Sequence, residues 1–171
     1  MDTLGLDLGD VLKLAFTMEK TGAEFYCHAA HFTNNPTQHL MLLGLAGMES
    51  EHAVWIGSLQ EQLLGPTPKA TVSTADQVVS EFLDSWVKGK VFDPRPVEVE
   101  KLAKSEGLSG VFRYALGMEK DTIVFYSGLR SFLGSADAEG FIDKIIREEQ
   151  RHLAEIGRAL EDVDGSAVKS S

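Results

Sequence analysis

Residues 118–126 read MEKDTIVFY and residues 18–26 read MEKTGAEFY, so one segment occurs twice, 100 positions apart. The repeat extends in both directions: 13 of the 50 positions from 8 to 57 are identical, where average composition gives about three. The identical pairs are at positions 8, 11, 15, 18, 19, 20, 25, 26, 32, 49, 52, 56 and 57, each plus 100. This duplication predicts two copies of one supersecondary element.

Each copy has the pattern of two amphipathic helices, because apolar residues recur every three to four positions. The four predicted helices cover residues 4–33, 37–64, 107–133 and 136–163. The breaker Asn34-Asn35-Pro36 separates the first two, and Gly134 separates the last two. Because these connections are short, each pair is predicted to be an antiparallel hairpin.

A long crossover, residues 65–106, joins the two hairpins. Apolar residues from Val78 to Val87 predict one short amphipathic helix within it. A hairpin, a long crossover and a second hairpin follow in the order of a ferritin-like four-helix bundle. The sequence therefore predicts an all-α fold, with one domain over residues 1–164 and a flexible tail over 165–171.

The composition excludes several classes of partner. The net charge is −10, which disfavours nucleic acid and anionic membranes. No apolar run approaches the ~20 residues of a membrane span, and the N-terminus lacks a basic region before its first apolar residues. We therefore expect a cytoplasmic protein. Cys27 is the single cysteine, so an internal disulfide and a thiolate iron site are both excluded.

Six ionisable residues lie on the apolar faces of the predicted helices. The lone glutamate of each first helix, such as Glu19 between Ala15 and Gly22, falls on the core-facing stripe. Each second helix carries Glu-x-x-His, which places a carboxylate and an imidazole on one face. The set is Glu19, Glu49, His52, Glu119, Glu149 and His152.

Four carboxylates buried together require compensation, because each loses solvation and all repel one another. They are either protonated or bound to cations. Two divalent ions would balance four glutamates, with two neutral histidines completing the ligand set known from di-iron and di-manganese bundles. Oxygen and imidazole ligands favour iron or manganese without choosing between them. A single Glu-x-x-His is more often a solvated pair, and a lone glutamate can reach solvent at a bundle end. Both patterns occur twice here, in register with the repeat, so we favour the metal.

The segments MEKTGAEFY, ESEH, MEKDTIVFY and EEQRH resemble the four helices of the rubrerythrin-like branch of the ferritin-like superfamily. The resemblance implies that Glu49 and Glu149 bridge two iron ions, and that each remaining glutamate and histidine binds one ion. It also suggests that Tyr26 and Tyr126 donate hydrogen bonds to the ligands. Ordinary core packing is the alternative for both tyrosines.

Two departures from the family limit what the resemblance implies. Rubrerythrins proper carry a rubredoxin domain, whose iron site the single cysteine of this chain cannot form, so we expect a separate electron-donor protein. They also carry an extra glutamate three residues after the ligand of the third helix, where this chain has Thr122. The peroxide-specific mechanism is therefore less firmly implied than the metal site.

The leading hypothesis is a non-haem di-iron oxidoreductase that reduces hydrogen peroxide or dioxygen and forms a homodimer. The alternatives are a ferroxidase or iron-storage protein of the ferritin class, and a metal-free interaction bundle. Residues 165–171 are expected to be too short and polar for the fifth helix of large ferritin shells. We expect Cys27 to pack in the core, His28, His31 and His39 to lie at the surface, and Glu24, Glu51 and Glu148 to be solvated.

Overall fold

The computed structural model describes residues 8–65, 77–88 and 99–169. Its elements are α1 (Leu8–Ala29), a 3-10 turn (Ala30–Phe32), α2 (Pro36–Leu64), α3 (Gln77–Val87), α4 (Val99–Phe132) and α5 (Ala136–Lys169). Helices α1 and α2 form one hairpin, and α4 and α5 form the other. The predicted all-α bundle of two hairpins is therefore confirmed, as is a short helix in the crossover. Within the described ranges, no helix is long and apolar enough to cross a membrane.

The turn between α1 and α2 is closed by local side-chain chemistry. The Asn35 side-chain oxygen accepts hydrogen bonds from the backbone N–H groups of Thr37 (2.9 Å) and Gln38 (3.4 Å). Pro36 occupies the first helical position, where its missing N–H costs nothing. This cap satisfies N–H groups that have no partner within the helix, so it fixes where α2 begins.

The crossover helix packs against the second hairpin and carries one of the largest buried side chains. Trp86 is buried, and its ring lies 5.4 Å from that of Phe125 in α4. The Phe82 ring rests on Gly128, where an added Cβ would come within 2.3 Å of the ring. The backbone of α4 is interrupted at Gly107, whose φ of 67° and ψ of −169° are essentially restricted to glycine. Gly107 thus separates the end of the crossover from the bundle helix.

The last helix extends beyond its predicted end. We expected it to stop near residue 163, but α5 runs through Gly165 to Lys169. Asp164 is held against α4, because it accepts hydrogen bonds from Ser109 (2.7 Å) and Arg113 (2.9 Å). A single glycine disfavours a helix by only about 1 kcal/mol, so Gly165 does not end α5. At the other end, residues 4–7 of the first predicted helix lie outside the described ranges, as do 66–76 and 89–98 of the crossover.

Two apolar clusters fill the bundle. The first contains Leu12, Ile56, Trp86, Leu129 and Ile145 among its buried members. The second contains Phe25, Leu45, Val111, Phe112 and Ile156 among its buried members. The six predicted ligand residues belong to neither cluster, and all six are buried. Along each helix they lie between residues of one cluster and residues of the other, so a polar layer crosses the apolar interior.

Candidate metal centre

The polar layer brings all six sequence-predicted ligand residues together. Each of the helices α1 and α4 contributes one glutamate, and each of the helices α2 and α5 contributes a glutamate and a histidine one turn apart. Each of these residues is at most 4% exposed. This level is unusual for ionisable groups unless they are paired or bind a metal. The members are Glu19, Glu49, His52, Glu119, Glu149 and His152.

The Glu149 carboxylate lies between the two histidines. Its Oε1 is 2.8 Å from Nδ1 of His52, and its Oε2 is 2.9 Å from Nδ1 of His152. Glu49 spans the same pair, with Oε1 3.2 Å from His152 Nδ1 and Oε2 3.9 Å from His52 Nδ1. The imidazole rings are nearly parallel, with centroids 5.8 Å apart. Each of these two carboxylates thus faces both imidazoles, with one oxygen toward His52 and the other toward His152.

The other two glutamates each approach one histidine. Glu19 Oε2 lies 3.3 Å from His52 Nδ1, and Glu119 Oε2 lies 3.7 Å from His152 Nδ1. The layer therefore divides into two four-residue groups, in each of which one ligand atom per residue lies within 4.8 Å of the others. The groups are Glu19, Glu49, His52, Glu149 and Glu49, Glu119, Glu149, His152. They share Glu49 and Glu149, the arrangement expected of bridging ligands.

Several polar atoms that point into this layer make no hydrogen bond of standard geometry among the described residues, although they lie at ion-pair distance from one another. They are Glu19 Oε2, Glu49 Oε1, both carboxylate oxygens of Glu149, and Nδ1 of His52 and of His152. Buried polar atoms without hydrogen bonds are rare in folded proteins because they have lost their hydration, and an imidazole compensates a buried carboxylate only while that imidazole carries a proton. A cation in each group would satisfy them, since oxygen and imidazole nitrogen are ligands for iron and manganese. The donor set therefore fits a two-metal centre.

Comparison with known proteins agrees with this geometry. The sequence matches the rubrerythrin family over residues 10–160. The chain belongs to the rubrerythrin family. A solved structure from Thermotoga maritima, assigned as a ferritin-like diiron-carboxylate protein, is similar with a TM-score of 0.63 and 23% sequence identity. The likeness covers 92% of this chain and 97% of that one, which shows a shared ferritin-like fold. None of the proteins with curated functions matches. The family and the buried cluster are compatible with two iron ions.

In the metal-free form of this rubrerythrin-family chain, protons compensate the buried charge. Burial opposes charge on His52, but contacts with Glu149 and Glu19 outweigh it and raise the pKa of His52 to about 11. The same balance, with Glu119 and Glu149 as partners, raises the pKa of His152 to about 12. Without metal, each imidazole therefore holds a proton that a cation would have to displace, which is the usual competition between protons and metals for one ligand set.

The buried carboxyl groups have different pKa values because their neighbours differ. Burial raises the pKa of Glu119 to about 8, and, with repulsion from Glu149, raises that of Glu49 well above its usual value. Glu149 is also buried, but its contacts with His152 and His52 hold its pKa well below the usual range. Like charges this close cannot all remain ionised without a cation.

The two tyrosines contact the ligands across the bundle. Tyr26 donates its hydroxyl hydrogen to Glu119 Oε1, and Tyr126 donates to Glu19 Oε1. Burial, followed by the negative field of the carboxylates, raises the pKa of both phenols well above its usual value. Both hydroxyls therefore remain protonated donors. Each ring also packs edge-on against the phenylalanine beside it, so the two alternatives left open by the sequence coexist.

Two sequence-based expectations about neighbouring residues are wrong. Cys27 does not pack in the core but is exposed, because it follows the buried Tyr26 on the outward face of α1. Glu148 is not simply solvated: its side chain is 20% exposed, and its Oε2 lies 2.9 Å from Nε2 of His52. The sequence pattern missed this contact because it crosses from α5 to α2. The repeat offered one signal for this contact, because Glu148 aligns with the apolar Met48 and thus falls at a position that the other copy does not use for a charged residue.

Four of the remaining polar residues lie at the surface as expected, and His39 does so only in part. Glu24 and Glu51 are exposed, as are His28 and His31. His39 is half-buried, with Nδ1 2.8 Å from the carbonyl oxygen of Ala30. Within the described ranges, no further group of three or more potential ligands forms a third site.

Proposed function

We propose that this chain is a non-haem di-iron oxidoreductase that reduces hydrogen peroxide, with dioxygen as the alternative oxidant. The supporting observation is that two buried ligand groups share Glu49 and Glu149. In the proposed assignment these two residues bridge the ions, Glu19 and His52 complete one position, and Glu119 and His152 complete the other. Two iron ions held on shared carboxylates would supply the electrons for reduction of the oxidant, and Glu49 and Glu149 would hold both ions.

The chemistry requires two electrons at one place. Reduction of one peroxide to two waters consumes two electrons and two protons, and two ferrous ions would supply the electrons. The chain has to hold its ligands in place as the charge of the centre changes. The hydrogen bonds of Tyr26 to Glu119 and of Tyr126 to Glu19 support this role, because they orient carboxylates that each face one position. A separate electron-donor protein would return the centre to its reduced state.

The proposal is tested by loading the protein with ferrous iron in the absence of oxygen and removing free iron. Two ions per chain are expected, followed by oxidation of two ferrous ions per added peroxide. Oxidation by peroxide should be much faster than oxidation by dioxygen. Glu49→Ala combined with Glu149→Ala should abolish iron retention, whereas the exposed control Glu51→Gln should retain it.

The same experiment separates the alternatives. Faster oxidation by dioxygen, with iron accumulating far beyond two per chain in air, would favour a ferroxidase or iron-storage function. Iron near zero with full manganese loading would assign a manganese centre. Absence of both metals from a folded protein would favour a metal-free interaction bundle and overturn the proposal.

We also propose a homodimer formed through the outer face of α1 and α2. A groove of ≈570 Å³ runs between these helices over Ala23, Ala46 and Gly47, and Phe16 and Val54 stand beside it, 37% and 66% exposed. In a symmetric dimer the same face meets itself, so the exposed Phe16 and Val54 of one subunit could pack against the small residues of the groove in the other. Lys20 and Glu24, which also line the groove, could pair reciprocally across a two-fold axis.

The internal repeat supports this choice of face. On α5 the positions matching Leu43 and Gly47 of α2 carry Asp143 and Arg147, as expected of a solvated surface. Replacing Leu43 by Asp and Gly47 by Arg introduces into α2 the residues found at the equivalent positions of α5, so the variant is expected to fold. Sedimentation equilibrium should show a dimer for the parent chain and a monomer for this variant, with unchanged metal content. A monomeric parent chain would contradict the homodimer.

A further inference from the structure

The two histidines of the centre differ on the side that faces away from the ligands. Both direct Nδ1 toward the shared carboxylates. His52 Nε2 lies 2.9 Å from the Glu148 carboxylate. His152 Nε2 is also buried, yet it has no hydrogen-bond partner in the part of the chain that the structure describes. The approximate two-fold symmetry of the repeat is therefore broken beside the ligands.

The sequence shows the origin of this difference. Glu148 precedes the ligand Glu149, and the matching residue before Glu49 is Met48. Met48 is half-buried and packs against the second apolar cluster. A methionine has no strong acceptor for an imidazole N–H. One substitution between the copies thus gives one histidine a carboxylate partner and leaves the other without it.

We infer that Glu148 is a positioning residue that makes the two metal positions unequal, so that the ion beside His52 is held more tightly than the ion beside His152. The inference rests on the proposed metal centre. An imidazole that binds a metal through Nδ1 carries its proton on Nε2. Donation of that proton to a carboxylate fixes the ring orientation and makes the imidazole a stronger ligand. The buried N–H of His152 lacks this support and bears an unmet desolvation cost.

The first test measures the release of zinc, a redox-inert probe, from the full chain into excess chelator. The parent chain should release its two ions in two phases, with rates that differ roughly 10- to 100-fold, the usual effect of an outer carboxylate on metal affinity. Glu148→Met should make both ions leave quickly, and Met48→Glu should make both leave slowly. Glu148→Gln, which preserves shape, should give an intermediate slow phase. The exposed control Glu51→Gln should match the parent chain.

A second readout identifies the histidine. In the zinc-loaded protein with labelled histidine, NMR should show one slowly exchanging imidazole N–H, assigned to His52. The double variant Glu148→Met with Met48→Glu keeps the net charge and should transfer that signal to His152. A single release phase in the parent chain, or a slow phase unchanged in Glu148→Met, would overturn the inference while leaving the two-metal centre intact. Failure of the parent chain to bind two zinc ions would overturn both.

Discussion

Metal loading should release a large and countable number of protons. In the metal-free chain the pKa values of His52 and His152 are raised to about 11 and 12 by the surrounding carboxylates. Burial raises the pKa of Glu119 to about 8 and that of Glu49 well above normal. Both histidines and Glu119 therefore carry a proton at pH 7, and the raised pKa of Glu49 favours a proton there as well. Because metal ligands must be deprotonated, loading two ferrous ions at pH 7 should release about three protons per chain from His52, His152 and Glu119, and about one more from Glu49 where it is protonated.

The count should depend on pH in a way that identifies Glu119. Above its pKa of about 8 this carboxyl has already lost its proton, so loading at pH 9 should release about one proton fewer per chain than loading at pH 7. Glu119→Gln keeps an oxygen ligand but has no acidic proton. That variant should release about one proton fewer than the parent chain at pH 7 and should not lose the proton that Glu119 accounts for between pH 7 and pH 9.

Anaerobic titration calorimetry provides the measurement. The heat of iron binding, compared across buffers that differ in ionisation enthalpy, gives the number of protons released. The metal-free protein must first be shown to be folded at both pH values by circular dichroism. Release of fewer than two protons at pH 7 would refute the argument that the ligand residues are protonated in the metal-free chain. An equal count at pH 7 and pH 9 in the parent chain would refute the role given to Glu119.

Four further predictions follow from single features. Replacing Tyr126 by Phe removes the donor to Glu19, so metal affinity should fall roughly tenfold in a chelator competition while two ions still bind; unchanged affinity would leave packing as its role. Gly107→Ala forces a side chain into a glycine-only conformation and should cost about 1–3 kcal/mol in urea unfolding. Trp86→Ala empties the contact with Phe125 and should cost about 3–5 kcal/mol in the same assay. The metal-free protein should lose thermal stability as pH rises above about 6.5, because the raised histidine pKa values stabilise the fold below the unfolded value and this contribution is lost toward about 11 and 12. The metal-loaded protein should show the opposite trend, since protons compete with the metal.

The helices and the six inward-facing residues were predictable because they depend on local periodicity. An apolar stripe that contains Glu19, or Glu49 with His52, reveals which face is buried, and the repeat shows that the pattern is not accidental. The ends of helices were less predictable. Asn35 and Pro36 mark the start of α2 by local capping, whereas α5 continues past Gly165 to Lys169, because a single glycine costs a helix only about 1 kcal/mol and does not mark its end.

Sequence alone thus determined the elements, their pairing into hairpins and the residue types of the polar layer, because each follows from spacing along one chain. Tertiary structure decided which carboxylate faces which histidine. It also decided that Tyr26 reaches Glu119 while Tyr126 reaches Glu19, and that Glu148 supports His52. These contacts join residues 93 to 107 positions apart. Their geometry is set by how four helices pack around the layer, which periodicity within a single helix does not specify.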